Sequence, residues 1–241
     1  MPKNNTLMLA LLCALILPAT ATAHKEDYLD ETFVYQTMEE GVLALEYRSR
    51  YFDRSKDRLT NNYWNNSLFV EYGLTEQTMF EVRSSWGTPE SDSEFAGGFA
   101  QLRHRFGEEG EYFIDPAVAI EYESERENGK LSDAITGVLV LSKDIGDFNM
   151  TLNYAKSYAL GSDDNLENKK SFGVRYPRHG IRWSIEYKDL GKSKRYILPA
   201  VQLAVSHGVS LKLGVGKGIN KQSPRYLAAA LLEIEFGEEG E

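Results

Sequence analysis

Cysteine is almost missing from these 241 residues, and its one copy, Cys13, lies in an N-terminal apolar run. Leu11 and Leu12 precede it, whereas a lipid-modified cysteine needs small residues there, so Cys13 reads as part of a discarded leader. The rest of the chain has no thiol. That excludes a disulfide scaffold, a thiolate metal site and a cysteine nucleophile. Long hydrophobic runs are also missing: residues 7–17 offer about eleven apolar positions, and a spanning helix needs ~20. Basic surplus is the third absence. With 36 Asp and Glu against 27 Lys and Arg the formal charge is −9, which argues against nucleic acid as a partner, because phosphate binding needs a basic surface.

What is present begins with Lys3, the apolar run and the small residues Ala21-Thr22-Ala23, the order of a secretory signal with an A-x-A cleavage site. Residues 1–23 are therefore expected to be removed on export. Residues 24–40 place Tyr28, Phe33 and Tyr35 among acids, and would either extend into the periplasm or fold back as a plug. From residue 41 to 236 the chain divides into segments of about ten residues with alternating polarity, about twelve in all, separated by polar turns. A short acidic tail, residues 237–241, follows. Such alternation can cross a membrane although mean hydropathy is only −0.42, since each barrel strand gives a weak hydropathy signal.

Period two sorts each segment into two faces. In residues 42–52, Leu43, Leu45, Tyr47 and Tyr51 oppose Ala44, Glu46, Arg48 and Arg50. Residues 62–74 set Leu68, Val70 and Tyr72 against Ser67, Phe69 and Glu71, and residues 78–87 set Phe80, Val82 and Trp86 against Glu81, Arg83 and Ser85. Further strands are expected at 95–106, 112–124, 131–143, 196–206, 211–219 and 226–236. Three more alternate around Phe148 to Tyr154, Phe172 to Tyr176 and Ile181 to Lys188. The stretch 131–143 is apolar on both faces, so its register is open. Aromatic residues gather near strand ends on the apolar faces, as in the girdles at the two lipid interfaces. Short connections at 75–77, 108–111, 144–147, 177–180 and 207–209 alternate with longer ones such as DRSKDRLTN, TPESDS, ERENGK and GSDDNLENK. The expected fold is an all-β, antiparallel up-and-down transmembrane barrel in the outer membrane of a Gram-negative cell, with both termini periplasmic.

If the apolar faces meet lipid, the opposite faces line a lumen. Its cations would be Arg48, Arg50, Arg83, Arg103, Arg105, Arg175, Arg182, Lys188 and Lys212. Its anions would be Glu46, Glu71, Glu81, Glu121, Glu123, Glu186, Glu233 and Glu235. Near-cancellation of sign favours a mutually paired, hydrated interior; the alternative is a constriction that sorts solutes by charge. Glu71 and Glu81 are expected to share one level with Arg103 and Arg105. Gly173, Gly214, Gly216 and Gly218 would leave room for a path or serve sheet curvature.

Other chemistry finds little footing. Gly214-Val215-Gly216-Lys217-Gly218 lacks the following helix of a nucleotide loop. Of the four histidines, His24 would be the new N-terminus, and His179 and His207 lie in short turns. His207 with Ser206 or Ser210 has no third orienting group, so no catalytic set is expected. His24 with a free terminal amine could hold copper, but no second His is placed beside it, and no resident metal or cofactor is expected.

The phrases EYGLTEQTMFEV, LSKDIGDFNMTLNYAKSY, LKLGVGKGIN and the closing LEIEF make the chain resemble the outer-membrane barrel family named for the meta-pathway of phenol degradation. The resemblance covers nearly all of the sequence after the leader. It implies a porin-like barrel, associated with hydrophobic or aromatic compounds, and supplies no catalytic residues. Its partners would be outer-membrane lipid, a small-molecule solute and the barrel assembly machinery. GEEGE after Phe236 departs from the terminal aromatic of such barrels. The expected function is passage of small molecules; the rival is a closed barrel with a structural or surface role.

Overall fold

The computed structural model describes residues 27–30, 32–53, 62–87, 94–127, 130–161, 166–178, 181–191 and 195–237. The leader, residues 24–26 and the last four residues lie outside these, as do His179 and most of the longer connections. Twelve strands follow one another: β1 (Leu43–Phe52), β2 (Tyr63–Thr75), β3 (Thr78–Trp86), β4 (Phe95–Arg105), β5 (Asp115–Glu127) and β6 (Lys130–Ile145). Then come β7 (Phe148–Ala159), β8 (Leu166–Arg178), β9 (Ile181–Asp189), β10 (Arg195–Ser206), β11 (Val209–Gly218) and β12 (Tyr226–Phe236). Each pairs antiparallel with its chain neighbours, and β1 pairs with β12 from Leu43↔Phe236 to Phe52↔Leu227, closing a barrel.

Tight turns at one end fix the register. Thr75 pairs with Thr78, Ile145 with Phe148 and Ser206 with Val209, leaving two residues in each loop. Gly146 and Gly208 supply the positive φ, 59° and 66°, that such turns require. β12 ends and β1 begins at this short-turn end. The opposite end carries the connections before β2, β4, β6, β8, β10 and β12.

Alternation decides which side chains meet lipid. On β7, Phe148, Met150, Leu152 and Tyr154 are 37–47% exposed while Asn149, Thr151 and Asn153 between them are at most 6% exposed. The same division runs round the barrel and leaves an apolar belt far larger than a water-facing surface carries. Tyr51 packs on Trp64 at the long-connection end, with ring centroids 5.1 Å apart, and Phe148 on Tyr176 at the short-turn end, 4.9 Å apart. These are the aromatic girdles of a membrane barrel.

Three boundaries differ from the sequence reading by three residues or more. β5 starts at Asp115 rather than 112, and residues 106–114 form a folded turn in which the Glu111 N–H donates to the Glu108 carbonyl. Pro116 fits only near a strand start. β5 and β6 continue through the supposed ERENGK loop until Glu127 pairs with Lys130. β8 likewise begins at Leu166, inside GSDDNLENK.

The sixth strand's register is settled. Thr136, Val138, Val140 and Ser142 face inward, and Ile135 and Leu139 face outward. Its inner face is apolar because Phe33 and Tyr35 pack there, against Ala117, Ala119, Val138 and Val140.

Candidate channel and the segment inside it

Residues 27–30 and 32–38 lie within the barrel. They touch strands on every side: Tyr28 reaches Asn149 on β7, Asp30 reaches Glu186 on β9, Asp27 reaches Arg103 on β4, and Lys212 on β11 donates to the Asp27 carbonyl. The segment enters at the short-turn end, where the Thr37 hydroxyl donates to the Glu76 carbonyl at 3.1 Å. Met38 packs there with Val42, Ala44 and Met79. It then climbs with Tyr35 N–H on Ser142 Oγ (3.3 Å) and Phe33 N–H on Asn153 Oδ1 (2.7 Å); Asn153 Nδ2 donates back to the Phe33 carbonyl at 2.8 Å. Near the long-connection end it turns. The Tyr28 N–H donates to the Thr32 carbonyl, and Asp27 folds alongside so that its carboxylate accepts from the Val34 N–H. At this tip Leu29 packs with Tyr196, Leu198, Ala200, Leu227, Ala229 and Leu231.

Sequence placed neither these apolar inner residues of β10 and β12 nor the neutral Asn149, Thr151 and Asn153 in a functional role. The readable signal was neutral polarity on β7 where most other strands carry charge on this face. A lumen full of water has no use for Leu198 or Leu231; both are buried because Leu29 covers them.

Each charged residue read as lumen-lining can now be placed. Glu46, Arg48, Glu71, Glu81, Arg103, Glu121, Arg175, Glu186, Lys188, Lys212, Glu233 and Glu235 are buried inside. Arg50, Arg83, Glu123 and Arg182 are half-buried on the same inner face. Arg105 leaves the expected cluster: its Nε donates to the Glu76 carbonyl and its Nη1 to Glu108, at the rim. It sits at the last position of β4, where the turn offers closer acceptors than Glu71 or Glu81. Those two glutamates face each other across β2 and β3, and Glu81 faces Gln101 on β4. Glu46 likewise faces Glu233, which Lys212 bridges at 3.0 Å.

The expected pairing across the wall is partly replaced by pairing with the inner segment. Arg103, wholly buried, donates from Nη1 and Nη2 to the two Asp27 carboxylate oxygens at 2.9 and 2.8 Å. Its guanidinium lies 4.3 Å from the Phe33 ring centroid. Arg50 donates to Asp30 at 3.0 Å, and the Tyr196 hydroxyl donates to the same carboxylate. On the wall itself, Arg48 and Arg83 sit over Phe69, Arg83 also sits over Phe99, and Arg83 pairs with Glu123 at 3.4 Å.

Two of the glycines read as room for a path are instead part of a seat. A Cβ on Gly173 would stand 2.6 Å from the Tyr28 ring, and one on Gly214 would stand 2.6 Å from Leu29 Cδ2. Gly216 and Gly218 face wall and loop atoms: Ile197 O and Pro224 O would lie 3.0 and 2.1 Å from their added Cβ atoms. A small void between Tyr28, Arg175, Arg182 and Lys212 has room for about one water.

Burial of Leu29, Phe33, Val34, Tyr35 and Met38 stabilises the seated segment by about 1.5–3 kcal/mol per side chain. Ordering its backbone opposes this by about 1–2 kcal/mol per residue. A buried ion pair adds little net stability, but losing one partner costs about 3–5 kcal/mol.

His104 accompanies Thr78 at 2.9 Å and meets the Phe106 ring edge-on, away from the lumen. Among the described residues no group of three His, Cys, Asp or Glu has the arrangement of a metal site.

Comparison with known protein families and with curated proteins finds no match, so the meta-pathway family is not shown. Solved structures do match. An outer membrane channel from Pseudomonas putida F1 aligns at a TM-score of 0.59 and 10% identity, over 88% of this chain and 100% of that one. A KdgM porin in complex with disordered oligogalacturonate aligns at 0.56 and 10% identity, over 81% and 99%. Escherichia coli outer membrane phospholipase A also aligns, at 0.49 and 11% identity over 84% and 94%, a score too low to support an activity. The fold is that of outer-membrane porin-like barrels, and the apolar belt places this one in a membrane.

Proposed function

We propose that the barrel passes small molecules across the outer membrane and that residues 27–38 close it as a removable plug. The short turns then face the periplasm, so the plug enters from that side. The carrying observation is the kind of contact that holds the segment. Its backbone and carboxylates are bound by side chains of the wall, through separable hydrogen bonds and two ion pairs, inside a wall that is polar along most of its height. A preference for aromatic solutes, which the family resemblance implies, would use Phe69 and Phe99 with the guanidinium groups of Arg48 and Arg83 above them.

The filled lumen also favours the second reading, a closed barrel with a structural role. Single-channel recording separates the two. A channel with a plug conducts more when the latches are cut; a structural barrel stays silent. Phe236, on the lipid side of β12, is the residue through which the assembly machinery would read the last strand, and truncation of residues 237–241 tests whether the tail hinders that reading.

A further inference from the structure

The latch on Arg103 is prepared from the wall side. Gln101 Nε2 donates to Glu121 at 2.9 Å, which turns Gln101 Oε1 toward Arg103, where it accepts from Nε at 3.2 Å and Nη2 at 3.1 Å. In front of that anchored guanidinium, Asp27 accepts two near-parallel bonds, the geometry by which arginine recognises a carboxylate of any origin. The second latch repeats the plan. Asn65 Oδ1 accepts from Arg50 Nη2 at 2.7 Å, while Nη1 and the Tyr196 hydroxyl hold Asp30. The anchors Gln101 and Asn65 belong to strands, so both receptors keep their orientation when the plug leaves. Arg175, Arg182, Lys188 and Lys212, on β8, β9 and β11, share the lumen with buried glutamates such as Glu186 and Glu233, so recognition rests on the two anchored guanidinium forks rather than on net charge.

We infer that Arg103 and Arg50 form a carboxylate-binding site of the open lumen, that Asp27 and Asp30 are internal stand-ins for its ligand, and that carboxylate-bearing solutes compete with the plug. The site deepens the channel reading and rests on it for its transport role. Binding there displaces the plug by mass action, because solute and plug cannot occupy one guanidinium together.

The test reads plug position directly. Outside the leader the chain has no cysteine, so Thr32→Cys, at a wholly buried plug position, gives one reporter thiol in the full-length refolded protein when Cys13 is replaced by serine. Its rate of reaction with a membrane-impermeant maleimide is compared in propionate, in the isosteric neutral propionamide and in chloride, at one ionic strength. Propionate should raise the rate several-fold over both controls, and Arg103→Lys, which keeps the charge and loses the fork, should abolish the rise. Equal acceleration by chloride or propionamide, or a full propionate response in Arg103→Lys, overturns the site. Should that variant not fold, Asp27→Asn replaces it: faster labelling without solute is expected, and an unchanged rate overturns the site. A propionate response in a chain that never conducts keeps the site and removes the channel; conduction with no carboxylate effect does the reverse.

Discussion

Gly173 on β8 lies directly beneath the ring of Tyr28, so close that a Cβ would stand 2.6 Å from ring carbon Cζ. The seat is therefore cut to the plug, and a larger residue at this position should expel it. Gly173→Val is expected to expose the N-terminal segment to protease while the barrel stays folded. Overpacking of this kind costs about 1–3 kcal/mol, which caps the penalty if the plug leaves. A segment as protected as in the wild type would contradict the seat.

Ile185 and its neighbour Ser184 on β9 give a test of the two faces. Ile185 is 47% exposed on the lipid side, while Ser184 lines the small void beside Tyr28. Ile185→Arg should hinder folding into lipid vesicles by roughly 2–4 kcal/mol if it sits near the midplane. Ser184→Arg should fold into lipid normally and instead crowd the plug, with faster proteolysis of the N-terminal segment. Urea titration in vesicles measures the first effect and limited proteolysis the second.

Arg103 and Arg105, two residues apart, should behave differently. Arg105→Ala removes rim contacts to Glu108 and the Glu76 carbonyl, and its effect on stability should stay below about 1 kcal/mol. Arg103→Lys should release the plug. Equal thermal shifts for both variants would contradict the assignment of Arg105 to the rim.

The turn between β4 and β5 carries a pH dependence. A hydrogen bond with Asp144, joined by burial, holds the Glu109 carboxyl above its ordinary value, while the Tyr35 hydroxyl pulls it back. Because the folded value is raised, the contribution is fully present below the ordinary glutamate pKa and is lost as pH rises through the folded value. Glu109→Gln should therefore flatten the difference between urea midpoints at pH 4 and pH 7, with its gain at pH 7. A gain confined to pH 4 would reverse the sign.

Much of the wall was legible because alternation is local: in β9, Ile181, Trp183 and Ile185 announce the lipid face within five residues. β5 misled because Tyr112, Phe113 and Ile114 look like strand residues. They belong to a turn, where Phe113 is 85% exposed and Lys143 sits over its ring. The plug's contacts were not legible, since Asp27 and Arg103 are 76 residues apart and no local period connects them. The doubly apolar β6 and the inward glycines carried that information, but each had a plainer explanation until Phe33, Tyr28 and Leu29 were seen against them.

The most direct test of the plugged channel is single-channel conductance of the folded full-length protein in planar bilayers, wild type against the double variant Asp27→Asn with Asp30→Asn. Cutting both latches should turn a mostly closed wild type into a channel with longer openings and higher mean conductance. If both proteins are silent, or both conduct alike, residues 27–38 do not gate a channel.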